Sequence, residues 1–313
     1  MNFKIIKWTM LVLFAIIAIA TIGFYQPDIP VDELKAKYAS EPSQFTEVMG
    51  LNVHFRDEGN PNDTIPLVLL HGTSSSLFTW DACVYEWAKE YRVVRLDLPG
   101  FALTGPNTVN DYSIEYYVKF LEEFLQSKGI RYCYLAGNSL GGLIAYSYSA
   151  THPTQVRKLI LIDPAGYPVA NAKGSLAFTL GKIPVIKNIL TVATPKNVVR
   201  KSLEDVYGDK SLVSNELVEL YRDMACREGN RQALLIRLNA DQKGDTTLVQ
   251  KIAQPTLLIW GETDQLIPVD NAFKFQRDLN NDTLVVFPRV GHVPMEESPE
   301  LVIPVVSKFL KQH

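Results

Sequence analysis

The chain has 313 residues, 47% of them hydrophobic, with 18 glycines and 18 prolines, enough for one large domain with a sizeable core. A formal net charge of −3, with no basic stripe interleaved with aromatics, gives no signal for binding a polyanion such as nucleic acid. The three cysteines, Cys83, Cys133 and Cys226, are odd in number and scattered, so neither a disulfide framework nor a metal-ligand spacing is present. Cys133 falls in an apolar run and reads as a small buried hydrophobe.

The chain opens with Lys4 and Lys7, then runs uncharged from Trp8 to Tyr25. As a helix that run would reach roughly 27 Å, near the thickness of a bilayer's hydrocarbon core. Aromatic residues at both ends and basic residues before it predict a single membrane span with a cytoplasmic N-terminus. The bulk of the chain would then lie on the extracytoplasmic side. The alternative is a cleaved signal segment, with Ala18-Ile19-Ala20 as the cleavage site and a secreted or periplasmic product. The expected division is residues 1–25 as anchor or signal, 26–44 as linker, 45–163 as the first part of the core, 164–250 as a helical cap and 251–313 as the second part of the core.

Residues 26–43 carry Pro27, Pro30 and Pro42 and several charges, hence the linker reading. Two alternating segments, from Phe45 and from Leu51, predict a hairpin turning near Gly50; His54 within it reads as structural. Pro66 to Leu70 is continuously apolar, as for a strand buried on both faces, and leads into His71-Gly72-Thr73. A Gly-led loop after a strand can aim backbone N–H groups at a forming oxyanion, with Thr73 as donor. A helix over 80–91, a strand over 92–97 and a turn at Asp97-Leu98-Pro99-Gly100 follow, and Asp97 reads as a loop-bracing carboxylate. Ile114, Tyr117, Val118, Leu121, Phe124 and Leu125 share one face of a helix over 113–127.

Next comes Gly137-Asn138-Ser139-Leu140-Gly141 between an apolar strand and a helix. A serine on such a turn is lifted clear of the backbone at the positive end of the helix, and the glycines allow close backbone approach. His152, before Pro153 at that helix's end, reads as structural. A strand over 156–162 ends at Asp163. The β/α rhythm then stops until Pro255, and residues 165–250 show helical periodicity without a clear strand. Phe178, Leu180, Tyr207, Tyr221 and Met224 are expected mostly to pack this cap, not to line a pocket. Strands over 255–260 and 283–287, helices over 269–279 and 299–311, Asp264 and His292 complete the chain.

Strands alternating with helices predict a mostly parallel, doubly wound α/β sheet. Thr73, Ser139, Asp264 and His292 each follow a predicted strand closely, so they should converge beyond the carboxyl ends of the strands, where such sheets bind ligands.

From about Phe45 to Leu310 the chain resembles the α/β-hydrolase superfamily, in its capped serine-hydrolase (esterase/lipase-like) branch. Ser139 matches the nucleophile elbow, Asp264 the acid after the penultimate core strand and His292 the base after the last, in the family's order. His71-Gly72-Thr73 matches the oxyanion loop, with Leu140 supplying the second N–H, and the Asp97 turn matches the family's D-x-P-G. The resemblance implies acyl transfer to Ser139, no metal or organic cofactor, and a small-molecule carboxylic ester with a small or medium acyl chain as substrate. Asp163 and Glu262 are the rival acids; some family members use the position after the strand that Asp163 ends. Aspartate-nucleophile relatives that open epoxides do not match Ser139. The elbow also resembles carbon–carbon hydrolases of ring-fission products, which typically carry a tryptophan where Val293 stands here. A catalytically silent binding protein, a cofactor-free haloperoxidase and an acyltransferase are the remaining readings.

Overall fold

The computed structural model describes residues 7–8, 25–169, 192–239 and 244–312. Eight strands form one sheet in the order β1-β2-β4-β3-β5-β6-β7-β8. They are β1 (Ser43–Val48), β2 (Leu51–Gly59), β3 (Leu67–Leu70), β4 (Arg92–Leu96), β5 (Cys133–Asn138), β6 (Val156–Ile162), β7 (Thr256–Gly261) and β8 (Asp282–Phe287). From β4 across to β8 the pairing is parallel; β1 and β2 are antiparallel to each other, and β2 is antiparallel to β4. The hairpin turns at Met49 and Gly50, both at positive φ (50° and 75°), which a two-residue turn matched to strand twist demands.

The central strands read as unbroken apolar runs because both of their faces are buried. Val68, Leu70, Leu135, Leu159, Leu161 and Trp260 enter one core. Their neighbours Leu67, Leu69, Ala136, Ile160, Ile162 and Ile259 enter the other. Helices α3 (Ile114–Ser127) and α4 (Leu140–Thr151) cover the first face through Tyr117, Phe120, Phe124 and Ile144. Ser113 caps α3, its Oγ accepting from the Tyr116 N–H at 3.2 Å. Helices α2 (Asp81–Trp87) and α10 (Pro299–Lys311) cover the second face with Val84, Trp87, Val302 and Val306.

Between β6 and β7 the described residues are helical: α5 (Lys196–Glu204), α6 (Asn215–Cys226) and α7 (Asn230–Asn239), with short 3₁₀ turns. Helix α8 (Asp270–Asp278) joins β7 to β8, and a single turn, α9 (Pro294–Glu297), follows His292.

The segment expected to be a linker carries a helix, α1 (Val31–Tyr38), and is fastened to α6 and α7. Pro30 begins this helix instead of breaking it, and Asp32 and Glu33 in its first turn with Lys35 and Lys37 in its last suit the helix dipole. Leu34 is buried with Ala102, Leu103 and Met224. Lys37 pairs with Glu219 at 2.6 Å and Asp223 at 2.8 Å. The Arg231 Nη2 donates to Asp28 Oδ1 at 2.6 Å and to the Gln26 carbonyl at 2.8 Å. The Ile29 N–H donates to the Cys226 carbonyl at 2.8 Å.

Among the described residues no helix is long and apolar enough to cross a membrane. The expected span over 8–25 lies outside the described residues except at its ends, as do Phe178 and Leu180.

Candidate active site

The elbow is built by close backbone packing. Ser139 sits at φ 54° and ψ −114°, a conformation that costs an L-residue about 1–3 kcal/mol and is held only by its surroundings. Those surroundings exclude side chains. A Cβ on Gly137 would lie 2.2 Å from the Gly141 carbonyl oxygen, and one on Gly141 would lie 2.3 Å from that of Leu70. The Ser139 N–H donates to the Ile162 carbonyl at 3.1 Å, and the Ser139 carbonyl accepts from Ala165 N–H at 3.0 Å. The serine is thus clamped between β5 and β6 at the start of α4.

Thr73 lies on the loop after β3, which packs directly on the serine: a Cβ on Gly72 would come within 3.2 Å of the Ser139 Cβ. His71 is buried, which pushes its pKa down. Its Nε2 accepts from Leu98 N–H at 2.9 Å and its Nδ1 donates to the Gly72 carbonyl at 2.7 Å. A neutral imidazole with the proton on Nδ1 therefore fixes the peptide before Thr73.

His292 and Asp264 meet across the ends of β7 and β8. The His292 Nδ1–H donates to Asp264 Oδ2 at 2.6 Å. Asp264 Oδ1 accepts from the N–H groups of Leu266 at 2.8 Å and Ile267 at 3.0 Å. Among the described residues the buried His292 Nε2 has no hydrogen-bond partner. His292 lines the same cavity, about 190 Å³, as Gly72, Thr73 and Ser139. The walls are largely apolar, with Val199, Leu203, Leu234 and Leu235 among them.

Of the rival acids, Asp163 lies fully buried beside this pair, and Glu262 is exposed, its Oε2 accepting from Arg289 N–H at 3.2 Å. Burial and the neighbouring Asp264 charge push Asp163 well above the usual carboxylate range. Asp163, Asp264 and His292 are, among the described residues, the one group of three ligand-type side chains close enough to share an ion, their atoms lying within 4.8 Å of one another. Asp264 and His292 already hydrogen-bond each other.

Asp97 stands apart from the serine. Its Oδ2 accepts from His54 Nδ1 at 2.7 Å and Leu103 N–H at 3.1 Å, and its Oδ1 from Leu77 N–H at 2.8 Å, so it braces the loop as its turn suggested. His152 stacks on Tyr148 with ring centroids 4.2 Å apart.

Three side chains have contacts here that the sequence did not assign to them. Asn138 donates from Nδ2 to the Ile162 carbonyl at 3.1 Å and to the His292 carbonyl at 3.0 Å. Glu297 accepts from Gly291 N–H at 2.8 Å, Asp209 N–H at 2.8 Å and Gly208 N–H at 3.0 Å, tying the histidine loop to the inserted helices. Tyr221, expected to be packing, lines the cavity, with its hydroxyl 3.2 Å from Ser75 Oγ and donating to Glu296 Oε2 at 2.7 Å. Tyr207 is buried in the core, and Met224 lines a smaller cavity alongside. The acids at 296 and 297 form a readable pair after His292, but apart from Gly291 their partners lie far away in sequence.

The chain is similar to several known proteins. The monoacylglycerol lipase abhd6-A of Xenopus laevis is 26% identical over 82% of this chain and 78% of its own length. The 2-hydroxy-6-oxo-2,4-heptadienoate hydrolase of Pseudomonas putida is 27% identical over 83% of this chain and 93% of its own. A crystallised membrane phospholipase A superposes with a TM-score of 0.75 at 26% identity, covering 98% of both chains. Residues 67–305 match the model of the alpha/beta hydrolase family, and the chain belongs to that family.

Proposed function

We propose that the chain is a serine hydrolase that cleaves a carboxylic ester with a small or medium acyl chain through an acyl-enzyme on Ser139. The observation that carries this reading is that a strained, clamped Ser139 and a buried His292 line one cavity, with the His292 Nδ1 engaged by Asp264 and its Nε2 without a hydrogen-bond partner among the described residues. His292 Nε2 takes the hydroxyl proton as Ser139 Oγ bonds to the substrate carbonyl carbon. The oxyanion is met by the N–H groups of Thr73 and Leu140. The intermediate collapses, the alcohol leaves with the proton from His292, and a water activated by the same nitrogen frees the acid. Asp264 keeps the imidazole in the required tautomer throughout.

The apolar walls suit an acyl chain, and lipase and phospholipase relatives support an ester substrate. We place residues 164–250 as a cap over the site and residues 8–25 as a membrane tether with the catalytic part on the extracytoplasmic side. The likeness to a membrane phospholipase A along nearly the whole chain supports that tether.

The second reading is carbon–carbon hydrolysis, favoured by the hydrolase of the heptadienoate and by the Gly-Asn-Ser-Leu-Gly-Gly elbow. Val293, in the cavity wall, disfavours it. The test uses the full chain in detergent with p-nitrophenyl acetate, butyrate and laurate, against Ser139→Ala. Turnover lost by about 10⁴–10⁶ in the variant supports the ester reading. A folded wild type inert on all three overturns it and moves the carbon–carbon reading ahead.

A further inference from the structure

Two carboxyl groups, not one, are presented to His292. Asp163 follows β6 at φ 43°, and its N–H donates to the Ile259 carbonyl at 3.0 Å, so its backbone is locked against β7. Its side chain is fully buried. Oδ1 accepts one hydrogen bond, from Gly261 N–H at 3.0 Å, and Oδ2 has no donor of its own among the described residues. Asp264, in contrast, accepts two backbone N–H groups on Oδ1 and the His292 Nδ1–H on Oδ2. One carboxyl oxygen of each acid and one His292 ring nitrogen lie within 4.8 Å of one another.

Adjacent carboxylates in a buried site cannot both be ionised. Three donors against one decide which holds the charge: Asp264 is the carboxylate and Asp163 carries the proton. An O–H on Asp163 donating to Asp264 also satisfies the otherwise orphaned Oδ2. The other charged group facing Asp163 is Glu297, and its negative charge acts in the same direction as that of Asp264, favouring the protonated acid. The placement explains why an acid stands at the end of both β6 and β7 when the imidazole can use only one.

We propose that Asp163 is a positioning residue that shares one proton with Asp264, holds that carboxylate on His292, and serves as a reserve acceptor for the His292 Nδ1–H when Asp264 cannot ionise. This rests on the reading of Ser139 and His292 as nucleophile and base. With Asp264 replaced by asparagine, the like charge beside Asp163 is gone. Asp163 can then give up its proton to solvent and accept the Nδ1–H itself. No bond other than this hydrogen bond changes, and the acyl-transfer steps are unaltered.

The test uses the full chain in detergent and four variants: Asp163→Asn, Asp163→Ala, Asp264→Asn and the double Asp163→Asn/Asp264→Asn. Two readouts are taken, kcat/KM for p-nitrophenyl butyrate across pH and the infrared carbonyl band of a protonated carboxyl group at neutral pH. Wild type should show the band, and Asp163→Asn should lack it. Asp163→Asn, which can still donate to Asp264, should lose less activity than Asp163→Ala. Asp264→Asn should lose about 10–10²-fold and recover as pH rises, whereas the double variant should lose on the order of 10⁴ with no such recovery. Asp264→Asn falling as far as the double variant, or a wild type without the band, overturns the proposal. The infrared measurement needs no turnover, so a wild type that shows the band yet hydrolyses no ester sinks the esterase reading alone.

Discussion

The Asn138 Nδ2 donates to the backbone carbonyl of His292 at 3.0 Å, although the two residues stand 154 positions apart. The residue before Ser139 thereby holds the main chain of His292. The same amide also binds the Ile162 carbonyl at the end of β6, so three strand ends are referenced to one side chain. Replacing Asn138 with alanine strips a donor from two buried carbonyls, each worth about 1–3 kcal/mol of desolvation. Thermal unfolding should show the loss. The His292 loop would also be free to shift, and a displacement of about 1 Å in a catalytic group can cost 10²-fold in rate. Asn138→Asp, which cannot donate when ionised, should resemble alanine in its kcat.

Glu297 performs a comparable task from the other side. It gathers three backbone N–H groups from the His292 loop and from residues 208–209. The His292 N–H itself donates to the Val206 carbonyl at 2.7 Å. Glu297→Gln keeps one acceptor oxygen and should lose several-fold in kcat/KM for p-nitrophenyl butyrate. Glu297→Ala leaves the three donors unmet and should lower the unfolding midpoint markedly, by the several degrees that a few kcal/mol represent. Equal behaviour of the two variants would contradict the bracing role.

The clasp at Asp28 links the N-terminal segment to the cavity wall, because Arg231 lines that cavity. Arg231 is 7% exposed, so removal of Asp28 leaves a buried guanidinium short of its carboxylate. Breaking such a pair by deleting one partner costs about 3–5 kcal/mol when both charges are buried, and less here because the Asp28 side chain is 44% exposed. Asp28→Ala should raise KM for laurate more than for acetate, since the wall along the acyl chain moves while Ser139 and His292 do not. Steady-state kinetics on the two esters checks this; an identical change in both would contradict it.

Asp97 sets part of the acid sensitivity of the fold. Burial pushes its pKa up, but the His54 imidazole, His71 and the amide donors outweigh burial and hold it below the ordinary value of 3.8. A carboxyl lowered on folding contributes stability above its unfolded value, and that contribution is lost as pH falls through the folded one. Asp97→Asn should therefore destabilise at neutral pH, and the gap from wild type should narrow below about pH 3.8. Urea unfolding at several acid pH values measures the gap; a constant gap would contradict the assignment.

The β/α rhythm, the elbow and the convergence of Thr73, Ser139, Asp264 and His292 were legible because each is a local signal. Buried parallel strands show as apolar runs such as Leu67–Leu70, and the steric demands of a tight turn show as Gly137 and Gly141. Helix α1 was obscured by flanking prolines, and its packing surface is the single buried Leu34, too small to leave a periodic stripe. Asn138, Glu297 and Tyr221 could not be read, since their roles arise from approaches between distant segments. Asp163 stood out only as a rival to Asp264, because sequence order does not reveal that both acids face one imidazole.

The central claim is that Ser139 is the nucleophile activated by His292. Treating the full chain with a fluorophosphonate and mapping the adduct by peptide mass tests it most directly. The account predicts one adduct per chain, on Ser139, abolished in Ser139→Ala and slowed by orders of magnitude in His292→Ala. A folded protein that takes no adduct, or takes it on another residue, would contradict the account.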